Sequence, residues 1–280
     1  PAFKMKFWNI GAEGQILMGG TVTGALMIYA GDALPNWLLL VLIFIASAAA
    51  GLIWGLIPAV FKAYINTNET LFTLMLNYVA MQIVSFCIVF WENPAGSNTV
   101  GIIGAAGQKG WFPSLFGNIY GLNVVIVLIL TLGMYIYMKY SKQGYEIAVV
   151  GESQNTARYA GINVKRVIIR TMMISGGICG LAGSLIVSGA SHTISTSTAG
   201  GRGFTAIIVA WMSKFNPFAM ILVSAFLVFM QQGAIQVASQ FGLNENASDI
   251  ITGILLFFLI GCEFFINYKL ELRKNRKEGK

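Results

Sequence analysis

The sequence predicts an all-α, polytopic helical membrane protein, and two features carry that prediction. First, 56% of the 280 residues are hydrophobic and only 10% are charged, whereas a soluble domain usually carries about a quarter charged residues. Second, the apolar residues form continuous runs close to the roughly 20 residues that a helix needs to cross a hydrocarbon layer. These runs lack the alternating polar and apolar residues of a membrane β-barrel, so each is expected to be a helix.

The apolar runs indicate about seven spans and one shorter helix. The run at 203–213 is too short to cross a bilayer comfortably and favours a re-entrant or broken helix. The chain opens at Pro1 without the basic start and apolar run of a signal peptide, so we expect one or more N-terminal spans to be missing. We interpret residues 1–280 as a single transmembrane domain. The predicted spans lie at 14–30, 37–57, 70–91, 121–138, 167–190, 217–235 and 249–267.

Several of the 32 glycines stand close together in the run 167–190. Small residues let helix backbones approach one another in a membrane, and this spacing favours tight packing within the chain over a ligand-binding loop. The glycines concerned are Gly176, Gly177, Gly180 and Gly183.

The charge distribution predicts a cytoplasmic C-terminus. With that orientation, only Lys109 and Arg202 of the 18 Lys and Arg residues lie in outer loops, as the positive-inside rule requires. The net charge of +7 then reflects topology, and no nucleic-acid partner is expected. The basic tail is expected to meet membrane lipid headgroups or water. The inner segments are 58–69, 139–166, 214–216 and 268–280.

The sequence offers little to an enzyme. Its three cysteines stand singly in apolar runs, so they predict neither a metal site nor a disulfide framework. Patterns of the types GxxxxGK[ST], HExxH and GxSxG are absent from the sequence. Any energy for transport is therefore expected to come from a partner or from an ion gradient.

Two polar groups at membrane depth are candidates for a substrate path. Asn9, Glu13 and Gln15 precede an apolar run, where they either face a water-filled path or belong to an interfacial loop in which Glu13 caps the following helix. In the third predicted span, Asn77 and Tyr78 supply the amide and aromatic groups that a nucleobase or sugar needs. Hydrogen bonding between helices is the commoner reason for such residues, and both alternatives stay open.

The outer loop before the short run holds two further features. His192 is the only histidine and lacks a catalytic pattern around it, so neither catalysis nor a proton relay is favoured. The tetrapeptide Gly201-Arg202-Gly203-Phe204 places a cation beside the re-entrant helix, where Arg202 is either functional or an interfacial anchor.

A charged inner segment, 142–166, lies between the fourth and fifth predicted spans and needs a partner on its side of the membrane. Its middle, 154–160, favours a short helix closed by Gly161 in the position of a C-cap. Ala157 and Ala160 give this helix a slim face suited to a groove, although a solvated loop helix is the plainer alternative.

Several stretches of the chain resemble the permease subunits of ABC importers for ribose-type sugars, branched-chain amino acids and nucleosides. The inner segment and the next run resemble the family's cytoplasmic coupling loop and following span, and the other stretches resemble its nucleoside, basic-membrane-protein-associated members. The resemblance covers nearly the whole chain in the expected order. It departs from the family in lacking N-terminal span(s) and at Met212-Ser213-Lys214. The stretches are VGESQNTARYAGINV, ISGGICGLAGSL, WNIGAEGQ, WGLIPAVFKAYINTNETLFTLMLNYVA and GRGFTAIIVAW with FNP after it.

The resemblance implies a multi-pass transport subunit of the bacterial inner (plasma) membrane, with no catalytic residues, metal or cofactor of its own. It would pair with a second permease subunit, identical or not. It would dock on a cytoplasmic ABC ATPase that uses the ATP, and receive nucleosides from an extracytoplasmic substrate-binding lipoprotein. By carry-over, the residues that would contact the ATPase are Glu152, Ser153, Asn155, Ala157, Arg158, Ala160 and Gly161.

The cargo and the energy source each have an alternative. Simple sugars such as ribose are the alternative cargo, and an ion-gradient-driven transporter using Glu13 or Glu263 is the alternative of another class. The residues predicted to line the substrate path are Asn9, Glu13, Gln15, Asn77 and Tyr78.

Overall fold

The structure is a computed structural model that describes residues 1–115, 117–243, 247, 250–254, 257, 258 and 261. The described residues form helices, joined by turns and loops, and no β-strand. After a 3₁₀ turn at Phe3–Met5, the helices are α1 (Ala12–Ala30), α2 (Asn36–Ile65), α3 (Glu69–Trp91), α4 (Gly121–Tyr140), α5 (Lys142–Glu152), α6 (Gln154–Tyr159), α7 (Val164–Ile186, continued by a π-helical turn at Val187–Ser191), α8 (Arg202–Met212) and α9 (Pro217–Gln240).

Five helices of the described residues are long and apolar enough to cross a membrane: α2, α3, α4, α7 with its π-helical turn, and α9. The all-α, polytopic prediction is confirmed. The predicted span 14–30 corresponds to α1, which is not among the five because its polar first turn and its glycines lower its hydropathy. The run 203–213 forms the short helix α8, as expected. Most of 249–267 lies outside the described residues, so the number of spans stays a prediction.

Two compact units divide the chain, one covering Pro1–Ile208 and the other beginning at Val209. The first unit contains α1–α7 and the first turns of α8. In the second, α9 begins with Asn216, whose side chain accepts a hydrogen bond from the backbone N–H of Phe218 over 3.1 Å. The expectation of a single transmembrane domain over 1–280 stays a prediction.

Short polar side chains begin several helices of the first unit. Asn68 starts α3 by accepting hydrogen bonds from the N–H groups of Thr70 and Leu71 over 3.1 and 3.3 Å. Asn163 accepts one from Arg166 at the start of α7 over 3.1 Å. Such caps satisfy backbone donors that lack a partner inside the helix, so they fix where each span begins.

Helices α1, α2 and α7 pack backbone to backbone through glycines. A Cβ atom at Gly180 of α7 would overlap the carbonyl oxygen of Ser47 in α2, and one at Gly19 of α1 would overlap that of Gly180. Gly176 and Gly183 make equally close approaches, so their predicted packing role is confirmed. Gly177 makes none, because its added Cβ would lie 3.7 Å from the nearest atom, the carbonyl oxygen of Ala48.

This packing makes α1 the central helix of the first unit. Eleven of its 19 residues are buried, and it contacts α2, α3 and α7. By contrast, α4 buries none of its residues within the described chain. The polar first turn of α1 is therefore held inside the protein, where each of its groups needs a protein partner.

We predict that Gly180→Ala destabilises the protein by about 1–3 kcal/mol, because the methyl group must separate two touching helices. Gly177→Ala is the matched control on the same helix, and it is expected to change the free energy of unfolding by less than about 1 kcal/mol. Thermal unfolding of the purified variants in detergent measures both. Equal midpoints for the two variants would contradict the packing described here.

Candidate functional site

A polar network surrounds the start of α1. The chain enters this helix through residues 8–11, which are not helical, so their backbone groups are open to partners from other elements. Two side chains of α3 bind these groups. Thr73 Oγ1 accepts a hydrogen bond from the N–H of Ile10 over 3.2 Å, and Asn77 donates to the carbonyl oxygen of Ile10 over 3.0 Å. Asn77 also accepts from the N–H of Gly14 over 2.9 Å, so α3 fixes the point at which α1 begins.

Asn9 and Gln15 form a buried amide pair across the same start. Asn9 donates to Gln15 Oε1 over 3.3 Å, and Gln15 donates to Asn9 Oδ1 over 3.4 Å. Asn9 Oδ1 also accepts from the N–H of Gly11 over 3.0 Å. Both side chains are at most 2% exposed. The two amide–amide contacts are long for hydrogen bonds, so they are weaker than the backbone contacts around them.

Glu13, in the first turn of α1, binds the start of a different helix. Its Oε1 accepts a hydrogen bond from the N–H of Gly201 over 2.7 Å, and its Oε2 accepts from the N–H of Gly203 over 2.8 Å. These are N–H groups at the beginning of α8, which have no acceptor within their own helix. A buried carboxylate suits this place because the N-terminus of a helix carries partial positive charge.

The close approach of α1 to α8 requires glycine at position 203. A Cβ atom on Gly203 would lie 2.5 Å from the backbone nitrogen of Glu13 and 2.8 Å from its Oε2. Glu13 itself is 4% exposed, and no described cation pairs with it. The charge of Glu13 is therefore balanced by backbone N–H groups of α8. Because these groups are fixed to the helix, the contact depends on the position of α8.

The structure thus brings together four of the five predicted path residues. Asn9, Glu13, Gln15 and Asn77 are buried and bonded to protein groups. The sequence left open that Glu13 caps its own helix, but its carboxylate binds the start of α8 instead. Tyr78 makes none of these hydrogen bonds and is 63% exposed. The role of all five in a substrate path stays a prediction.

Trp54 is a member of this site that the sequence did not single out. A Cβ atom placed on Gly14 would lie 3.1 Å from the Trp54 indole nitrogen and 3.0 Å from Asn77 Oδ1. The indole nitrogen is buried and has no hydrogen-bond partner in the described part of the chain. An unpaired indole donor therefore lies beside the network, and only the fold brings it there.

The inner segment forms two helices that meet at Ser153. This residue ends α5 in an extended conformation and caps α6, its Oγ accepting from the N–H of Thr156 over 3.2 Å. After α6, Gly161 has a φ of +76°, which an L side chain rarely adopts. The predicted short helix closed by Gly161 is confirmed, with α6 ending at Tyr159.

The expectation that Ala157 presents a slim face to a partner is wrong. Ala157 is fully buried within this chain, in a cluster that includes Ile147, Val150 and Val164. Its burial follows from the kink at Ser153, which folds α6 back onto α5 and α7. The other predicted contact residues are accessible: Ser153 is half-buried, and Glu152, Asn155, Arg158, Ala160 and Gly161 are exposed.

Tyr159 is a prominent side chain of this segment that the sequence interpretation passed over. It is 94% exposed at the end of α6. Aromatic side chains are strongly represented among the residues that dominate binding at protein interfaces. Its signal in the sequence was a tyrosine in a charged segment, and only the structure shows that its side chain projects outward.

His192 joins two loops outside the helices. Its ring stacks on Trp111 with 3.7 Å between ring centroids, and its carbonyl oxygen accepts from the N–H of Ile103 over 2.8 Å. Its Nδ1 is buried without a partner among the described residues, and burial lowers the pKa of the imidazole. Arg202 donates to the carbonyl oxygen of Thr198 over 3.2 Å, so both residues hold the loop that leads to α8.

Comparison with known proteins gives consistent matches. A family model described as branched-chain amino acid transport system / permease component matches residues 2–260. The guanosine ABC transporter permease protein NupP of Bacillus subtilis is 29% identical to this chain over 92% of the chain and 74% of the relative. No solved structure gives a significant match.

Two further relatives match over nearly the whole chain. A glucose ABC transporter permease protein of Haloferax volcanii is 28% identical over 98% of this chain and 74% of the relative. The nucleoside ABC transporter permease protein NupB of Lactococcus lactis is 27% identical over 98% of this chain and 77% of the relative.

We predict that Glu13→Gln lowers the free energy of unfolding by about 1.5–3 kcal/mol, because the amide turns an NH₂ donor towards one of the two N–H groups. The thermal unfolding midpoint of the purified variant measures the loss. Glu92→Gln is the matched control, since Glu92 also accepts from two backbone N–H groups, those of Gly96 and Asn98, but in an accessible loop. A Glu13→Gln variant as stable as the control would refute the capping role.

Proposed function

Because this chain belongs to the family of branched-chain amino acid transport system permease components, and is the permease subunit of an ABC importer, we propose that its substrates are nucleosides. Two of the relatives named above are guanosine and nucleoside permeases. Family membership also decides against the ion-gradient transporter that the sequence left open. Of the two acids that this alternative needed, Glu13 holds α8 and Glu263 lies outside the described residues.

The observation that carries our assignment of a substrate path is the place where the non-helical entry to α1 meets the start of α8, which we call the polar break. Transporters place substrate sites where a helix is interrupted, because the freed backbone groups and helix ends can face the substrate. Here the non-helical residues 8–11 and the start of the short helix α8 meet at Glu13. We assign the substrate path to this break.

Within the break, Asn9 and Gln15 are the residues that we assign to substrate contact. Their amides offer a donor and an acceptor each, as the edge of a nucleobase requires. They bond to each other only through the long contacts of 3.3 and 3.4 Å, which substrate groups can replace at low cost. Trp54 adds an indole donor without a partner. Glu13 and Asn77, with shorter contacts of 2.7–3.0 Å, position the helices around the site.

Simple sugars are the second candidate, favoured by the glucose permease among the relatives. Sugar hydroxyls also bond to amides, so the amide pair serves either cargo. A nucleoside differs in carrying a flat, aromatic base. Tyr78 is 63% exposed beside Asn77 on α3 and supplies a ring for stacking such a base.

The partner subunits follow from the same membership. We assign docking of the cytoplasmic ATPase to the exposed residues of α6 and its flanks, with Tyr159 as an additional anchor. We propose that this partner uses the ATP and that this subunit needs no cofactor of its own. A second permease subunit completes the pore and an extracytoplasmic binding protein delivers the substrate. The positive-inside distribution supports a cytoplasmic C-terminus.

We predict that unlabelled nucleosides inhibit uptake of labelled guanosine by the transporter in proteoliposomes, whereas glucose and ribose do not. Gln15→Ala should reduce guanosine uptake by about tenfold, the effect of losing one substrate hydrogen bond of about 1.4 kcal/mol. Gln82→Ala is the control, because Gln82 is an exposed amide on α3 outside the network. Uptake of labelled glucose or ribose without uptake of labelled guanosine would transfer the assignment to sugars.

A further prediction concerns docking. Tyr159→Ala should weaken binding of the ATPase by about tenfold or more, because truncating an aromatic interface anchor costs about 2 kcal/mol. The variant should fold normally, since this side chain is 94% exposed. Tyr120→Ala, which removes another exposed tyrosine ahead of α4, is the control. Substrate-stimulated ATP hydrolysis and co-purification of the ATPase measure the effect. Unchanged values for Tyr159→Ala would exclude the residue from the interface.

A further inference from the structure

A cavity of about 420 Å³ lies between the end of α2 and the first turns of α7, apart from the polar break. Tyr64 lines the cavity from α2, and most of the other lining residues belong to α7. The residues concerned are Tyr64, Lys165, Arg166, Ile169, Arg170 and Met173.

Positive charge dominates the polar part of the lining of this cavity. The ion pairs of the described residues are Lys62 with Glu69 and Arg170 with Glu146, so no described carboxylate pairs with Lys165 or Arg166. The ammonium group of Lys165 lies 4.8 Å from the centre of the Tyr64 ring.

Arg170 adds a third cation to the lining of the same cavity. One of its terminal nitrogens donates to Glu146 over 2.9 Å. Its Nε is buried and has no hydrogen-bond partner in the described part of the chain. Three cations against one carboxylate therefore leave the lining with net positive charge, which suits a phosphate group.

The lining also has an apolar part. Lys165, Ile169 and Met173 are spaced four residues apart, so they lie along one face of α7. Because α7 is apolar enough to span the membrane, this face passes from a cation into the hydrocarbon layer. Tyr64 is 65% exposed at the end of α2, a place where tyrosine commonly anchors a helix at the membrane surface.

We propose that this cavity binds the headgroup phosphate of an anionic phospholipid, whose acyl chain lies along Ile169 and Met173. Lys165, Arg166 and Arg170 bind the phosphate. A basic pocket that opens onto an apolar helix face matches the two chemistries of such a lipid. A free phosphate ion would leave the apolar wall unused, and an acidic protein surface would not follow α7 into the bilayer. The site lies beside Asn163, so the lipid stabilises the start of α7 next to the inner segment.

The test uses the transporter purified with its partners and native mass spectrometry with added phosphatidylglycerol or phosphatidylcholine. The wild type should retain one phosphatidylglycerol with at least about tenfold preference over phosphatidylcholine, and Lys165→Gln/Arg166→Gln should lose most of that preference. Lys139→Gln/Lys142→Gln is the matched control, because it removes the same charge from exposed lysines around the start of α5. The control should bind like the wild type.

Additional arms separate the sources of the anion. Inorganic phosphate and glycerol phosphate at the same concentration should not displace the lipid. Lys165→Arg/Arg166→Lys, which keeps both charges, should retain binding and so guards against a folding defect. Equal lipid binding by Lys165→Gln/Arg166→Gln and the wild type would overturn the proposal. This holds even if the ATPase no longer co-purifies with the variant, because the basic residues would then serve the ATPase and not the lipid. Displacement by inorganic phosphate would instead identify a site for free anions and would also overturn it.

Discussion

The structure depends on one buried carboxylate. Glu13 accepts hydrogen bonds from the N–H groups of Gly201 and Gly203, and so joins the first helix of the described chain to a short helix that lies far along the sequence. A buried charge is costly unless it has partners. The N-terminus of α8 meets this requirement with backbone dipoles, and the N–H groups of α8 gain the acceptor that they lack. The carboxylate and the N-terminus of α8 therefore stabilise each other.

The neighbouring helices α3 and α7 hold α1, and with it Glu13, in place. Backbone contact of α1 with α7 through Gly19 and Gly180 leaves little freedom for α1 to shift. Asn77 of α3 then fixes the register of its first turn. The short, well-paired contacts position the helices, whereas Asn9 and Gln15 are joined by longer contacts and, under the proposed function, exchange these for contacts with the substrate. A permease needs both, because its frame must persist while its path changes during transport.

The sequence predicted the features that are local in the chain. Apolar runs located the long helices, and the glycine spacing in the α7 region predicted close packing, which most of these glycines show. It could not reveal that Glu13 binds groups 188 and 190 residues away, since no periodicity links them. Nor could it reveal that Ala157 is buried, because that depends on the kink at Ser153. The family could be recognised from motifs that follow one another in the expected order. The hydrogen-bond partners of each polar side chain could be identified only from the folded structure.

Amide hydrogen exchange at single-residue resolution, on the protein in lipid nanodiscs, tests the central contact most directly. The backbone N–H groups of Gly201 and Gly203 have no backbone acceptor in the described chain, so slow exchange there reports the Glu13 carboxylate. We expect both amides to exchange at least about tenfold more slowly than those of the exposed residues Thr196 and Ser197 in the preceding loop. Exchange at the same rate as in that loop would show that Glu13 does not hold α8.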